Sequence, residues 1–518
     1  MKVVVALLTL VLLGCAGQSP QYSASAITQM SVPQLQLAIK NAEITAVQVT
    51  QAFLNRIEAL DDNGPALHAI IEVNPDALAI AAELDQKKGK MAWAGPLHGI
   101  PVVLKANIDT RDRMATSAGS IALADHRAEQ DAFLVQRLRD SGAVILAKAN
   151  LSEWANFRSE NSSSGWSSLG GQTTNPYAAG HNPCGSSSGS AVAVAAQLSP
   201  LAVGTETNGS IVCPAGINGI VGVKPTVGLI SRSGIIPISH TQDTAGPMAN
   251  SVVGAALLLD AMVGKDPKDT SSVSVYKGTS FVPDLNKLDL KGVRVGVLRS
   301  YYGAALENVR DVLQHNISSL QELGAIIVDP VATNIPSSVN DAAYEVLLFE
   351  FKNGLNQYLA QHKIDPSVNT LAKLIQYNEA NAGAAMPIFG QEIFIKAEAK
   401  GDLTSADYQL ALQNSHYRMR AIMDKVLEEN KLDVIIAPAN APSWKTDWEN
   451  GDHFTLSSSS LAARSGYASV VVPAGFIDGL PVGIAFIGGA FSEKQLLQYA
   501  YAFEQKTKAR QNPDLDAF

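Results

Sequence analysis

An α/β fold with a largely covered sheet is predicted by three features of the chain. Short apolar runs alternate with segments of helical periodicity along most of its length. Of its 518 residues, 46% are apolar and 17% charged, enough to bury a large core. The apolar runs at 100–104 and 143–147 do not alternate with polar residues, as expected of strands covered on both faces.

At the N-terminus, Met1-Lys2 precedes an apolar run at 3–13, then Gly14-Cys15 and a polar stretch. One positive charge, a short apolar core and small residues describe an export signal. Leu12-Leu13-Gly14-Cys15 is similar to the lipobox of bacterial lipoproteins. The expectation is a signal peptide over 1–14, lipidation of Cys15, a tether over 15–26 and residence in the bacterial cell envelope. An ordinary secretory signal is the alternative.

Residues 31–60 carry two helices with Thr45 as the N-cap between them, and 75–84 carry a third. The strand at 100–104 ends at Lys105. A helix at 131–141, a strand at 143–147, a helix at 190–197 and a strand at 201–205 follow. Residues 266–289 are polar and read as a surface excursion. A strand–helix–strand unit spans 294–298, 307–323 and 326–328. Residues 337–427 are mainly helical and are expected to cover the mouth of the site. Strands at 434–437, 470–472 and 482–487 precede a helix at 492–505. No linker divides the chain.

The net charge of −9 argues against a nucleic-acid surface, and no later segment has the ~20 apolar residues of a membrane span. Two turns carry the chemistry: Cys184-Gly185-Ser186-Ser187-Ser188-Gly189-Ser190 and Gly204-Thr205-Glu206-Thr207-Asn208-Gly209-Ser210. Small residues let backbone N–H groups approach a ligand, and serines supply nucleophiles and relays. A flexible linker is the plain reading of the first turn. It fails because a helix follows at once and a similar turn recurs after a strand. Gly185–Gly189 also fits G-x-S-x-G, which would make Ser187 the nucleophile, but loop precedes it where that motif needs a strand. Ser274-Val275-Tyr276-Lys277 matches S-x-x-K without companion motifs.

Gly99–Lys105, Cys184–Ser190 and Gly204–Ala215 stand in the order of the G-[IV]-P-x-x-x-K, G-G-S-S-G-G-S and G-x-D-T-G-G-S-x-R-x-P-A segments of the amidase signature family. Ser186 and Ser210 keep that family's 24-residue interval. The chain resembles this family from Leu35 to Gln505. The resemblance implies one large domain over 27–510, with a mixed sheet covered by helices on both sides and a catalytic core over about 96–265. It implies Lys105 as general base, Ser186 as relay and Ser210 as nucleophile, with backbone N–H groups of Thr207, Asn208, Gly209 and Ser210 as oxyanion hole. The family's relay serine is typically held by a cis peptide bond. The chain departs from the pattern at Ala106, Cys184, Ser188, Glu206, Asn208 and Val212, none of them in the triad. These departures point away from glutamyl-tRNA amidotransferase and toward peptide amidases, which remove C-terminal amides. An ammonia-donating amidotransferase subunit, an amidase of small aliphatic or aromatic amides and an inactive envelope-binding protein are the alternatives.

The implied substrate is a small-molecule or peptide amide. No nucleic acid, cofactor or metal is expected, and contact with a membrane only through the lipid anchor. Trp154, Asn156 and Phe157 either line the acyl pocket or pack in the core. Asp243 reads as a structural hydrogen-bond acceptor and Lys148 as a surface charge. Cys184 and Cys213 are read as free thiols; export would permit a bridge, but a fold of this size does not need one.

Overall fold

The computed structural model describes residues 22–89, 93–274 and 278–515. The signal at 1–14, Cys15 and the tether as far as residue 21 lie outside these. A helix spans Ala24–Gln29, capped by the Ser23 hydroxyl, so regular structure begins inside the stretch read as tether.

The strands, in chain order, are β1 (Ile70–Val73), β2 (Pro101–Lys105), β3 (Val144–Ala149), β4 (Trp166–Ser167), β5 (Gly171–Gln172), β6 (Leu201–Glu206), β7 (Val221–Lys224), β8 (Thr244–Ala249), β9 (Arg294–Leu298), β10 (Ile326–Val331), β11 (Val434–Pro438), β12 (Ser469–Ile477) and β13 (Leu480–Ile487). Eleven form one mixed sheet in the order β1-β3-β2-β6-β8-β7-β12-β13-β11-β9-β10, and β4 and β5 pair separately. β3, β2 and β6 are mutually parallel, as are β11, β9 and β10; the remaining pairs are antiparallel.

This topology positions the site. β2 and β6 pair in parallel through Val102–Leu201, Val103–Ala202 and Leu104–Val203, so both end at the same edge of the sheet. Lys105 closes one strand and Thr205-Glu206 the other. The C-terminal edge of parallel strands is where α/β folds gather ligand-binding groups. Every residue of β2, β3 and β6 is buried, which explains their unbroken apolar runs. The wholly buried helix Ser188–Ala195 packs on β2, β3 and β6 and feeds directly into β6.

Thr45 caps the helix Ala46–Ile57 as predicted. Its hydroxyl accepts from Gln48 N–H at 3.0 Å while Gln48 reaches back to Thr45 N–H at 2.8 Å, a capping box. Elsewhere the boundaries move. β3 runs on to Ala149, two residues beyond the predicted end. β7 and β8 were not foreseen, because β7 is short and Gly246 and Pro247 interrupt the strand signal of β8.

The region at 337–427 is helical, led by Ser338–Gln361. Leu348, Phe351, Leu355 and Phe394 from this cover form an apolar cluster with Phe157 and Ile238 of the core side. A polar latch reinforces it. At the end of the long helix, His362 Nδ1 lies 2.8 Å from the Tyr358 carbonyl and Nε2 2.9 Å from Asp109 Oδ2. A carbonyl and a carboxylate only accept, so the two contacts are both hydrogen bonds when the ring is protonated and donates from each nitrogen. Tyr358 Oη donates to the other Asp109 oxygen at 2.7 Å. Burial disfavours the charge, but the bonds to Asp109 and the Tyr358 carbonyl hold the His362 pKa above its ordinary value.

A group whose folded pKa is raised stabilises the protein below the unfolded value, and that contribution fades as pH rises through the folded value. His362→Gln is therefore expected to cost about 1–2 kcal/mol at pH 5.5 and clearly less at pH 8.5. Denaturant unfolding at the two pH values checks this; an equal loss at both would remove the ion pair from the account.

Candidate active site

Lys105 is completely buried at the end of β2. Its Nζ lies 2.8 Å from Ser186 Oγ, 2.9 Å from Thr205 Oγ1 and 3.2 Å from the Thr205 carbonyl. Asn107 Nδ2 donates to the same Thr205 hydroxyl at 3.0 Å. Among the described residues no carboxylate forms an ion pair with this lysine. Burial lowers its pKa to about 7, against the upward pull of the more distant Asp243 and Glu206. Thr205 and Asn107 were not identified from the sequence. Parallel pairing of β2 and β6 brings them in, which no local pattern reveals.

The two serine turns meet face to face. Ser187 N–H donates to the Ser210 carbonyl at 3.1 Å. The Gly185–Ser186 peptide is cis. Ser187, the serine of the G-x-S-x-G match, is spent on structure: its hydroxyl donates to the Thr205 carbonyl at 3.0 Å and accepts from Thr205 N–H at 3.2 Å. Ser210 instead lines a cavity of about 260 Å³.

The second turn is braced from three sides. Glu206 Oε2 accepts from the N–H groups of Ile211 and Val212 at 2.7 and 2.9 Å. Asp243 accepts from the Thr207 hydroxyl and from the N–H groups of Ile238 and Ser239, the latter two at 2.8 Å; it is the structural acceptor that was expected. The Asn208 side chain accepts from Ser459 Oγ at 2.8 Å. Gly209 sits at φ +88°, where a side chain would be strained and its Cβ would lie 3.1 Å from Ser459 Oγ. Among the described residues, the backbone N–H groups of Thr207, Asn208, Gly209 and Ser210 have no protein acceptor. They are available to a ligand.

Two expectations are corrected here. Cys184 and Cys213 are not free thiols but a disulfide, with Cα atoms 6.1 Å apart. The contact between the turns brings them into bridging range. Lys148 is not a surface charge: it is fully buried, and its Nζ donates to the Ile108 carbonyl and to Thr116 Oγ1. The cause is the longer β3, which keeps residue 148 inside the sheet between β1 and β2. Burial lowers its pKa to about 8.

Of the three pocket candidates, Asn156 and Phe157 line the cavity beside Ser210, together with Ala155, Ile238 and Leu347. Trp154 does not. Trp154, Ala155 and Asn156 take successive left-handed φ values of 52°, 55° and 67°, and Trp154 lies in the cover's core, edge-on to Phe394 at 5.5 Å. A second cavity of about 270 Å³ shares Ala155, Thr207 and Ile238 with the first and reaches Thr205, Asn107, Tyr358 and His362. Among the described residues, Asp109, His126 and His362 bring ligand atoms within 4.8 Å of one another. Both Asp109 oxygens, His362 Nε2 and His126 Nε2 take part in hydrogen bonds with one another or with Tyr358.

Comparison with known proteins identifies the family. The amidase family model matches residues 48–497. A probable amidase of Arabidopsis thaliana is 40% identical over 516 residues, covering 96% of this chain and 94% of its own length. A peptide amidase solved in complex with the competitive inhibitor chymostatin superposes with a TM-score of 0.88 at 46% identity, covering 94% of this chain and 99% of that one. A glutamyl-tRNA(Gln) amidotransferase subunit of Thermoanaerobacter pseudethanolicus is 32% identical over 497 residues, covering 93% of this chain and 98% of its own. The chain belongs to the amidase family and is an amide-hydrolysing enzyme.

Proposed function

We propose that the enzyme hydrolyses carboxamides through an acyl-enzyme on Ser210, with Ser186 as proton relay and Lys105 as base, and that its substrates are C-terminal amides of peptides. The observation that carries the mechanism is a buried lysine 2.8 Å from a serine hydroxyl, with no carboxylate in an ion pair with it among the described residues. Neutral Lys105 takes the Ser186 proton as Ser186 takes that of Ser210, whose Oγ attacks the amide carbon. The carbonyl oxygen gains negative charge beside the unengaged N–H groups at 207–210, each such donor being worth roughly 3 kcal/mol in related chemistry. The C–N bond then breaks as the proton returns through Ser186 to the nitrogen. Ammonia leaves, and water releases the acid by the same relay.

The peptide reading rests on the likeness to the peptide amidase structure and on the cavity. Phe157, Ile238 and Leu347 offer apolar surface in the cavity that holds Ser210, and Asn156 and Asp452 add polar groups to its lining. Ammonia release should be at least tenfold faster per mole of enzyme from amidated peptides than from acetamide or benzamide. Equal or faster release from the simple amides would redirect the assignment to small carboxamides. The likeness to an amidotransferase component supports a second reading, ammonia donation to a partner. The export signal expected from the N-terminal sequence weighs against that reading, and tRNA-dependent glutaminase activity in a co-purified complex would favour it.

A further inference from the structure

We infer that the Cys184–Cys213 disulfide is a positioning element of the catalytic relay, holding the Ser186 turn against the Ser210 turn, so that full activity belongs to the oxidised enzyme. The inference rests on the Ser210–Ser186–Lys105 reading above. Cys184 stands two residues before Ser186, and Cys213 three residues after Ser210. Ser187 supplies the hydrogen bonds that tie the turns, from its N–H to the Ser210 carbonyl and from its hydroxyl to Thr205. The bridge is a separate, covalent fastening on the other side of Ser186. Each cysteine is also fixed to its own turn. Cys184 N–H donates to Asn182 Oδ1 at 2.8 Å, and its carbonyl accepts from Ser188 Oγ at 2.6 Å. Cys213 N–H donates to the Gly209 carbonyl at 2.8 Å. A movement of either sulfur is therefore passed to the backbone that carries the serines.

The position of the bridge separates it from a remote structural staple. Both cysteines line the cavity that holds Ser210, and Ile217 and Trp444 pack behind them. Proton transfer between two hydroxyls and an amine demands near-contact geometry, and a slip of about 1 Å costs on the order of 100-fold in rate. Glu206, Asp243 and Ser459 brace the Ser210 turn but not the Ser186 turn. The bridge spans both.

Both cysteines are buried, and the cavity they line is the route by which a small dithiol would reach them. Dithiothreitol attacks one cysteine sulfur through its first thiolate, releasing the other cysteine as a thiolate. Its second thiolate then closes the cyclic disulfide and frees the first cysteine, leaving two electrons and two protons on the protein.

The test uses the full chain, with the bridge first located by non-reducing peptide mapping. After treatment with dithiothreitol, kcat on an amidated peptide is expected to fall about tenfold with KM within twofold. Removal of the reductant followed by oxidised glutathione, which takes up the two electrons and two protons as the bridge re-forms, should restore it. Trp444 fluorescence should rise on reduction, and the rise should vanish in Trp444→Phe. The double variant Cys184→Ala/Cys213→Ala should show the same low kcat and no response to reductant. Unchanged kcat in reduced protein overturns the inference, as does a map showing both thiols free in active enzyme. Loss of circular dichroism on reduction at 25 °C also overturns it, because the bridge would then be holding the fold and not the relay. If Ser210→Ala retains activity while reduction lowers it, the mechanistic reading fails instead.

Discussion

Ser210→Ala is expected to lower kcat for ammonia release from an amidated peptide by about a thousandfold or more while leaving KM within a few-fold. The argument is positional. Ser210 lines the cavity at about 8% exposure, with its own N–H group and the three before it unengaged among the described residues. The substitution removes one oxygen and leaves that backbone in place, so the loss reports the nucleophile and not the oxyanion site. Ser187→Ala is the control, because it removes only the hydroxyl bonds to Thr205; a loss below about tenfold is expected, in line with one neutral hydrogen-bond pair. Glu206 and Asp243 hold the turn whether residue 210 is Ser or Ala, so the variant should unfold at the wild-type temperature. Ser210→Ala retaining a tenth of wild-type kcat would eliminate the acyl-enzyme on this residue, and comparable losses in both variants would point to a shared structural cause.

The site was legible in the sequence where its chemistry is local. Ser186 and Ser210 sit in turns that small residues force on the chain, and their interval survives because the intervening helix Ser188–Ala195 and strand β6 have fixed lengths. What depended on distance through space was not legible. Two cysteines 29 residues apart could each have been a buried hydrophobe, and only the docking of the turns makes them a bridge. Lys148 looked exposed because an alanine-lysine-alanine stretch carries no strand signal; a neighbour on each side extends β3 over it. The Asp109–His362 pair joins residues 253 apart in sequence, with no motif at either end. Trp154 and Asn156 were grouped by proximity, and the left-handed turn between them sends one into the cover and the other to the cavity. The part that could be read was the part set by neighbours along the chain.

Lys105→Met should abolish most activity without weakening the fold, and the combination identifies a base. Methionine keeps nearly the same length and apolar stem, so the pocket at the end of β2 stays filled. The wild-type lysine carries a burial penalty: its unfolded pKa is near 10.5 and its folded pKa about 7. Because the folded value is the lower one, the unfolded chain binds the proton more tightly, and folding loses stability as pH falls from above 10 toward 7. Removing the amine removes that cost, so the variant should unfold at or above the wild-type temperature at pH 7 while kcat drops about a thousandfold or more. The pH profile gives the second arm. Only the neutral amine accepts a proton, so log kcat/KM for the wild type should climb with unit slope below about pH 7 and level above it. The residual rate of Lys105→Met should lack that limb. A wild-type profile flat from pH 5 to 9, or a variant that loses activity together with its fold, would assign Lys105 to structure and leave the relay without its base.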